Sequence, residues 1–453
     1  MTTNNILIYQ IGRLDTNFQQ PLDFEIKGET FESILSSFAL KKHYNDYNVN
    51  IKLLFPISLP FNSSLYNSEN FKKMCTKEFY EILYSAYNDA DSFLNNPQLV
   101  FDKHPHLQDN INYMVIPSVG NYSGNNKQIY FSGHYSDIVL IILIDMIESF
   151  FKYKENVDKI IVDISSGHNY YVSAMIEALK HIDTWITLYK WNEKKTFCFI
   201  AVTEPIIPGF KGPYKISIEE QHTKVFFSCP ISAKDIENTH LARTIFPEKE
   251  MRSKKRNLNE ILEKFGLAFS AVKNNIPLFI YTNEFHNKEY LKDFLNEFLK
   301  YIKDVIYKDY LKTPNLNKNA YLKVFHSVAF YMALVEKFMN YGIDNRKEVE
   351  TKNLCDNFRK IYSNYNLLLN DTILGNEVDR INGKILEDCS WTSLNKIFYE
   401  NATNACSPQK RNFFAHAGLE SNVTECCKNG SQIFVRYRED CLNTIKNWLI
   451  ESI

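Results

Sequence analysis

The sequence predicts a chain in two main parts, an α/β region built on a parallel sheet followed by a helical region. Over roughly the first 200 residues, near-continuous apolar runs alternate with helix-like segments, which is typical of a parallel sheet covered on both faces. After about residue 250, apolar residues recur at helical spacing almost to the end of the chain. The 453 residues, 45% of them hydrophobic, are enough for two to four domains of ordinary size.

The first part contains strand-like and helix-like segments in alternation. The strand-like runs are 5–11, 49–56, 112–118, 159–165, 184–190 and 196–202, and the helix-like segments are 31–41, 77–87, 137–150 and 170–181. This order predicts a Rossmann-like domain over residues 1–202.

The pattern then changes twice. Residues 203–250 predict a linker with a β-hairpin, whose strands would be 214–219 and 224–230. A charged run at 247–257 follows, which indicates a solvated boundary segment rather than a nucleic-acid-binding patch. Residues 251–453 predict an all-helical domain, with late helices at 353–369, 392–400 and 438–450.

Composition excludes several classes of protein. The formal net charge of -1 argues against a chain whose main task is to coat nucleic acid. The N-terminus lacks the cationic start of a signal peptide, and the most apolar run, 137–147, is too short to span a bilayer. We therefore expect a cytoplasmic protein that does not enter membranes.

The nine cysteines form no C-x-x-C pair, so neither a zinc ribbon nor a thioredoxin motif is indicated. Four of them lie near the C-terminus and could in principle pair: Cys406, Cys426, Cys427 and Cys441. Free thiols are the expectation that the composition favours, because disulfides are rare in cytosolic proteins.

Polar residues follow the predicted strands of the first part. In parallel sheets ligands bind beyond the carboxyl ends of the strands, so these loops are candidate ligand contacts. The candidates are Gly12, Arg13, Ser58, Ser118, Tyr122, Ser165, Ser166, Gly167, His168 and Asn169. The chain contains no G-x-G and no phosphate loop of the G-x-x-x-x-G-K-[ST] type, which disfavours a Rossmann oxidoreductase and a P-loop enzyme.

The segment CSPQKRNFFAHAGLE, 406–420, is the candidate for catalysis. Ser407 and Pro408 predict a helix start and Gly418 a helix stop, which would place Arg411 in the first turn. His416 would lie about 140° around the same helix from Arg411. One helix would therefore not aim both side chains at one target, whereas two copies facing each other could.

Two segments resemble known motifs. RNFFAH, from Arg411 to His416, resembles the R-x(4–6)-H motif of HEPN ribonucleases, and DISSGHNYY, at 163–171, resembles a ligand loop of CARF domains. A CARF domain, a linker and a helical HEPN domain in this order is the arrangement of the CARF-HEPN ribonucleases of type III CRISPR systems. The chain is similar to that family over essentially its whole length.

The resemblance implies an endoribonuclease of antiviral defence that needs no metal or other cofactor and is activated by a cyclic oligoadenylate, most often cyclic tetra-adenylate. Arg411 and His416 would be catalytic, with Asn412 in a supporting role. The substrate would be single-stranded RNA, cut by attack of the 2'-hydroxyl to leave a 2',3'-cyclic phosphate and a 5'-hydroxyl. The ligand loop 165–169 would contact the activator, and the protein would form a homodimer at minimum or a larger assembly of dimers.

Two other functions fit parts of the sequence. The chain could be a non-enzymatic sensor or interaction protein that binds a cyclic nucleotide; the presence of both Arg411 and His416 argues against this. It could also be a ribonuclease without a cyclic activator, such as a toxin, but the large first domain with its polar loops argues against that.

Overall fold

A computed structural model describes residues 4–107, 111–125, 127–191, 193, 195–207, 210, 212–384, 390–399 and 406–453. The chain divides into two compact units. The first comprises Met1–Ile186, Lys194–Lys224 and Glu297–Lys318, and the second comprises Thr187–Glu193, Val225–Asn296 and Asn319–Ile453. The predicted three-part division into 1–202, 203–250 and 251–453 stays a prediction.

The first unit contains a large sheet with helices. Its strands are β1 (Asn5–Ile11), β2 (Leu22–Ile26), β3 (Glu29–Ser33), β4 (Asn48–Pro56), β5 (Asn112–Ile116), β6 (Val119–Ser123), β7 (Gln128–Ser132), β8 (Val157–Asp163), β9 (Phe197–Thr203) and β10 (Tyr214–Glu220). Its helices are α1 (Ser36–His43), α2 (Ser63–Tyr66), α3 (Glu69–Met74), α4 (Lys77–Asn88), α5 (Ala90–Asn95), α6 (Gln98–Phe101), α7 (Tyr135–Lys152) and α8 (Asn169–Tyr189).

The large sheet has the strand order β3-β2-β10-β9-β8-β1-β4-β5, and β6 and β7 form a separate hairpin. From β9 to β5 every neighbouring pair is parallel. Every residue of β1 is buried, as expected for a central strand with helices on both faces. The carboxyl ends of β1, β4, β5 and β8 therefore share one edge, where the predicted ligand loops lie.

Parts of the predicted pattern were wrong. The strand predicted at 184–190 is absent, since residues 184–189 continue helix α8 and Lys190 lies in the turn after it. A short apolar run with β-branched residues does not distinguish a strand from a helix. Residues 224–230 are not a strand either. Instead β10 pairs with β9 and β2 inside the large sheet, so the strand predicted for the linker belongs to the first unit.

His104 and His106, which follow α6, are buried. The Nε2 atom of His104 lies 3.1 Å from the carbonyl oxygen of Arg13, and that of His106 lies 2.9 Å from the carbonyl oxygen of Phe18. These two rings hold the chain that leaves β1. Burial lowers the pKa of both histidines, that of His106 to about 4, so both are neutral near pH 7.

The second unit is mainly helical. Beyond β10 the helices are α9 (Ala233–Ile236), α10 (His240–Ile245), α11 (Arg252–Lys273), α12 (Pro277–Thr282), α13 (Lys288–Ile306), α14 (Lys318–Asn340), α15 (Thr351–Asn364), α16 (Leu368–Asn382), α17 (Leu394–Phe398), α18 (Lys410–Ala415) and α19 (Leu442–Glu451). The second half of α13 belongs to the first unit. In the part of the chain that the structure describes, no helix combines the length and apolar character that a membrane span requires.

The second unit also contains a small sheet that the sequence did not predict. Its strands are β11 (Val349–Glu350), β12 (Thr392–Ser393), β13 (Thr424–Asn429) and β14 (Gln432–Tyr437), in the order β11-β14-β13-β12. The fold class is confirmed as an α/β region followed by a mainly helical one. The expectation of an all-helical second domain was wrong in this detail.

We expect the first unit to lose stability in mild acid because of the buried histidines. Unfolding lets His106 bind a proton near its ordinary pKa of 6.5, whereas in the folded chain this requires about pH 4. Stability should therefore fall as the pH drops from 6.5 towards 4, by roughly 3 kcal/mol for this residue. Thermal melting of His106→Gln should show a weaker pH dependence than the native chain. His222→Gln, at an exposed histidine, is the control; an unchanged pH dependence in His106→Gln would contradict the explanation.

Candidate functional site

A cavity of about 350 Å³ lies at the carboxyl edge of the large sheet. Of the predicted ligand residues, Ser58, Tyr122 and His168 line it. The other lining residues are Leu14, Pro56, Leu59, Phe61, Asn62, Ser63, Asn121, Ser123 and Tyr171. Hydroxyls, amides and aromatic rings together suit the ribose, the base edge and the base face of a nucleotide.

The loop after β8 is anchored by Asp163, a carboxylate with no exposed surface. The Ser165 hydroxyl donates to Asp163 Oδ1 at 2.5 Å and lies 2.6 Å from the Thr203 hydroxyl. The Ser36 hydroxyl donates to Asp163 Oδ2 at 2.6 Å. Burial raises the pKa of Asp163, and these hydrogen bonds oppose the shift. Ser165 therefore fixes the start of the ligand loop. It does not line the cavity.

The remainder of that loop turns into helix α8. Gly167 has a φ of +77°, a left-handed conformation that glycine adopts at little cost. His168 lines the cavity, and partial burial lowers its pKa, with Asp15 opposing and Arg13 adding to the shift. Asn169 is the first residue of α8, a 21-residue helix whose N-terminal end favours an anion.

The other predicted ligand residues do not line the cavity, and one of them, Ser118, supports a residue that does. The Ser118 hydroxyl accepts from the Ser58 backbone N–H at 3.0 Å and donates to the Ser58 hydroxyl at 2.9 Å. Arg13 Nη2 lies 2.8 Å from Asp15 Oδ2 and forms an ion pair with it. A Cβ on Gly12 would lie 2.2 Å from the Phe55 ring, so this glycine permits close packing. The Ser166 hydroxyl oxygen is buried without a hydrogen-bond partner.

Tyr171 and the β6–β7 hairpin were missed by the sequence reasoning. Tyr171 stands in the quoted DISSGHNYY segment, and its position one helical turn after His168 was the available signal. Burial raises its pKa to about 12. Asn121 comes from β6, a strand too short and polar to be recognised in the sequence.

In the second unit, His416 contacts a carboxylate. Its Nδ1 atom lies 2.8 Å from Glu377 Oε1 on α16, and Arg380 Nη2 lies 2.7 Å from Glu377 Oε2. A histidine held through Nδ1 presents Nε2 for proton exchange. The side chain of His416 is 37% exposed, so a substrate can reach it. No local pattern links Glu377 to His416, because 39 residues separate them.

A second carboxylate lies near His416. Glu420 is buried and accepts from the Asn422 backbone N–H at 3.0 Å and from its side-chain amide at 2.8 Å. Burial raises the pKa of Glu420, while the hydrogen bonds and His416 lower it. His416 therefore interacts electrostatically with two carboxylates, Glu377 by direct contact and Glu420 more weakly.

Arg411 and Asn412 are exposed on helix α18. This helix begins at Lys410 and ends at Ala415, so the start predicted at Pro408 was two residues early. His416 is the C-cap residue, so its side chain does not leave the backbone in the direction that a continuing helix would give it. Arg411 lies in the first turn as predicted, and Asn412 Nδ2 donates to Gln409 Oε1 at 2.9 Å.

The short helix is held by its surroundings. Phe413 is fully buried, with its ring centroid 5.5 Å from that of Trp448 on α19 and 6.2 Å from that of Tyr437 on β14. After His416 the chain reverses through two left-handed residues, Ala417 and Gly418. A Cβ on Gly418 would lie 2.7 Å from Tyr437 Oη, so this position requires glycine.

Cys406 and Cys441 form a disulfide that ties the start of this segment to the start of α19. The expectation of free thiols was wrong for this pair, because the fold brings their Cα atoms to 6.1 Å although 35 positions separate them in sequence. Asp440 lies beside the two sulfurs, a composition that could suggest a metal site. The sulfurs are bonded to each other, however, and cannot act as thiolate ligands.

Two family models match the chain. The model described as CRISPR system endoribonuclease Csx1, CARF domain, matches residues 6–205, and the one described as CRISPR system endoribonuclease Csx1, HEPN domain, matches residues 368–439. The chain belongs to the CARF-HEPN family of CRISPR-associated ribonucleases. A search of curated proteins found no match.

Each of the two family matches contains one of the two candidate sites. The CARF match contains the whole cavity at the sheet edge, and the HEPN match contains Glu377, Arg411 and His416. The two domains indicate a CRISPR-associated ribonuclease that is regulated by cyclic oligoadenylate binding and acts on RNA.

We expect Glu377→Gln to slow RNA cleavage about a hundredfold, since correctly placed proton transfer contributes about 10²–10⁴ to the rate. Glu439→Gln, at an exposed carboxylate of the same unit, is the control. A native rate in Glu377→Gln would show that the hydrogen bond has no catalytic consequence.

We expect the disulfide to stabilise the second unit by about 2–4 kcal/mol, because it closes a long loop in the unfolded chain. Urea unfolding of the native chain should therefore shift to lower urea when dithiothreitol is added. Cys406→Ser should unfold at the lower midpoint with or without the reductant. Cys355→Ser, at a half-buried free cysteine, should respond to dithiothreitol as the native chain does. The disulfide would have no role if dithiothreitol left the native midpoint unchanged.

Proposed function

We propose that this chain is an endoribonuclease of type III CRISPR defence that is activated by cyclic tetra-adenylate, needs no metal and cuts single-stranded RNA. The 2'-hydroxyl would attack the adjacent phosphorus and leave a 2',3'-cyclic phosphate and a 5'-hydroxyl. This chemistry requires proton transfer and stabilisation of the charge that develops on the phosphate. The observation that best supports it is the 2.8 Å contact between His416 Nδ1 and Glu377.

Each catalytic residue has a role in this proposal. Glu377 holds the imidazole of His416, whose Nε2 atom exchanges a proton with the reacting oxygen. Arg411 is exposed at the first turn of α18 and supplies permanent positive charge with planar donors for phosphate oxygens. Asn412 offers an amide beside Arg411 as a supporting hydrogen-bond donor.

The activator site is the cavity at the sheet edge. Its volume of about 350 Å³ lies near the lower end of the range of about 300–1,000 Å³ that drug-sized ligands occupy. A ring of four nucleotides is larger than such ligands, so one chain encloses only part of it. This supports a homodimer at minimum, or a larger assembly of dimers, in which two copies share one activator in the cytoplasm.

In this cavity the rings of Tyr122 and Tyr171 can stack on an adenine, and His168 and Ser58 can bind its edge or the ribose. Activation then requires that the ligand bind the cutting arrangement of the dimer better than the resting one. No cofactor beyond the activator enters this mechanism.

The proposal is tested by cleavage of a labelled single-stranded RNA in EDTA, with and without cyclic tetra-adenylate. The native chain should cut only with the activator. His416→Ala should lose about 10²–10⁴ in rate. His168→Ala should reach the native maximum but need about tenfold more activator, the cost of one hydrogen bond. His222→Ala serves as the control at an exposed histidine.

The outcomes separate the two halves of the proposal. Cutting that ignores every cyclic oligoadenylate would remove the sensor function and leave the nuclease. A native chain that binds the activator but never cuts would be a sensor only. Cutting that is abolished by EDTA would contradict the metal-free mechanism.

A further inference from the structure

Two adjoining hollows of about 580 and 560 Å³ on the second unit have six lysine and arginine side chains in their walls. They share Arg243, and together we refer to them as the basic groove. Its cations are Lys234, Arg243, Lys249, Arg252, Lys255 and Arg256. The whole chain has a formal net charge of -1, so this concentration of positive charge is local.

The fold creates the groove from separate segments. The charged run at 247–257 alone resembles a solvated boundary, but α10 adds Arg243 and α9 adds Lys234 to the same surface. Three of the ten arginines of the chain lie here. Arginine binds phosphate oxygens through paired donors, which makes it the residue most suited to a nucleic-acid backbone.

These cations are available to a ligand. Arg243, Lys249, Arg252 and Arg256 are exposed, and in the described ranges none of them is paired with a carboxylate. The groove also contains three carboxylates. Glu260 Oε1 lies 3.3 Å from Lys264 Nζ and Glu263 Oε1 lies 2.6 Å from Lys446 Nζ, while Glu237 lines the same hollow as Lys234. Six cations against three carboxylates therefore leave the groove with a net positive charge.

The N-terminal end of α11 adds to the positive potential. This helix has 22 residues and starts at Arg252 in the groove, and its N-cap residue, Met251, makes no side-chain capping hydrogen bond. The first backbone N–H groups of a helix attract anions together with the helix dipole.

The groove leads towards the catalytic segment along α19. Lys446 of α19 contacts Glu263 at the groove, and Glu451 near the end of α19 contacts Lys410 at 2.6 Å. These two α19 residues are about 7.5 Å apart along the helix axis, and Lys410 precedes Arg411. A flexible polyanion lying in the groove can therefore extend to the catalytic helix of the same unit.

We propose that the basic groove binds the ribose-phosphate backbone of single-stranded RNA outside the cleavage site and delivers long substrates to Arg411 and His416. The inference rests on the proposed ribonuclease function and adds a second RNA-binding surface to it. Contacts of this type read no sequence, and their strength falls steeply with salt concentration.

Fluorescence anisotropy of a labelled single-stranded RNA tests the groove without any cleavage, in chains that carry His416→Ala. Arg243→Gln, Arg252→Gln and Arg256→Gln in combination should weaken binding about tenfold or more and reduce the slope of log affinity against log salt by about 2. Lys77→Gln, Lys103→Gln and Lys127→Gln remove the same charge from exposed sites of the first unit and should change neither quantity. Melting temperatures confirm that both triple variants fold.

Cleavage by chains that retain His416 distinguishes the inference from the proposed function. The groove variant should lose about tenfold in kcat/KM on a long RNA but cut a trinucleotide at the native rate, because a trinucleotide is too short to occupy both surfaces. If the groove variant bound RNA with the affinity and salt slope of the native chain, the proposed role of the groove would be overturned, even if the native chain cuts RNA normally. A native chain that cuts no RNA would overturn the proposed function, while the anisotropy result would still decide whether the groove binds RNA.

Discussion

The first unit depends on the parallel pairing of β8, β1, β4 and β5. Parallel strands end on the same side, so four loops that are far apart in sequence meet at one edge. The pairing also places Asp163 in the interior, where a carboxylate is costly unless it is hydrogen-bonded. Ser36 and Ser165 satisfy it, and the same bonds fix the ligand loop. The hydrogen bonds that allow Asp163 to be buried therefore also fix the position of the ligand loop.

The candidate catalytic site is built differently. Helix α18 has only six residues and could not persist alone in water. It is held by the buried ring of Phe413, by the left-handed turn through Gly418 and by the disulfide at Cys406. His416 stands at the end of this supported segment, where Glu377 of another helix reaches it. Orientation of the imidazole thus depends on packing across the second unit rather than on the local motif.

Local patterns predicted much of the fold. Strand β1 was predicted with its observed bounds, and α7 to within two residues, because each is apolar over its whole length. The order of these elements and the two short motifs also indicated the family correctly. Residues 184–190 were misassigned because their apolar pattern fits a strand as well as the end of α8. Glu377, the Cys406–Cys441 bond and the contribution of Arg243 to the basic groove arise only when distant segments meet, so no local pattern could predict them.

Calorimetric titration of the native chain with cyclic tetra-adenylate tests the proposed sharing of one activator by two chains most directly, because a cavity of about 350 Å³ would enclose only part of such a ring. We predict saturation at one ring for every two chains, with the heat lost when Tyr122→Ala and His168→Ala are combined. Saturation at one ring per chain, or unchanged binding by the double variant, would contradict a shared activator site at this edge.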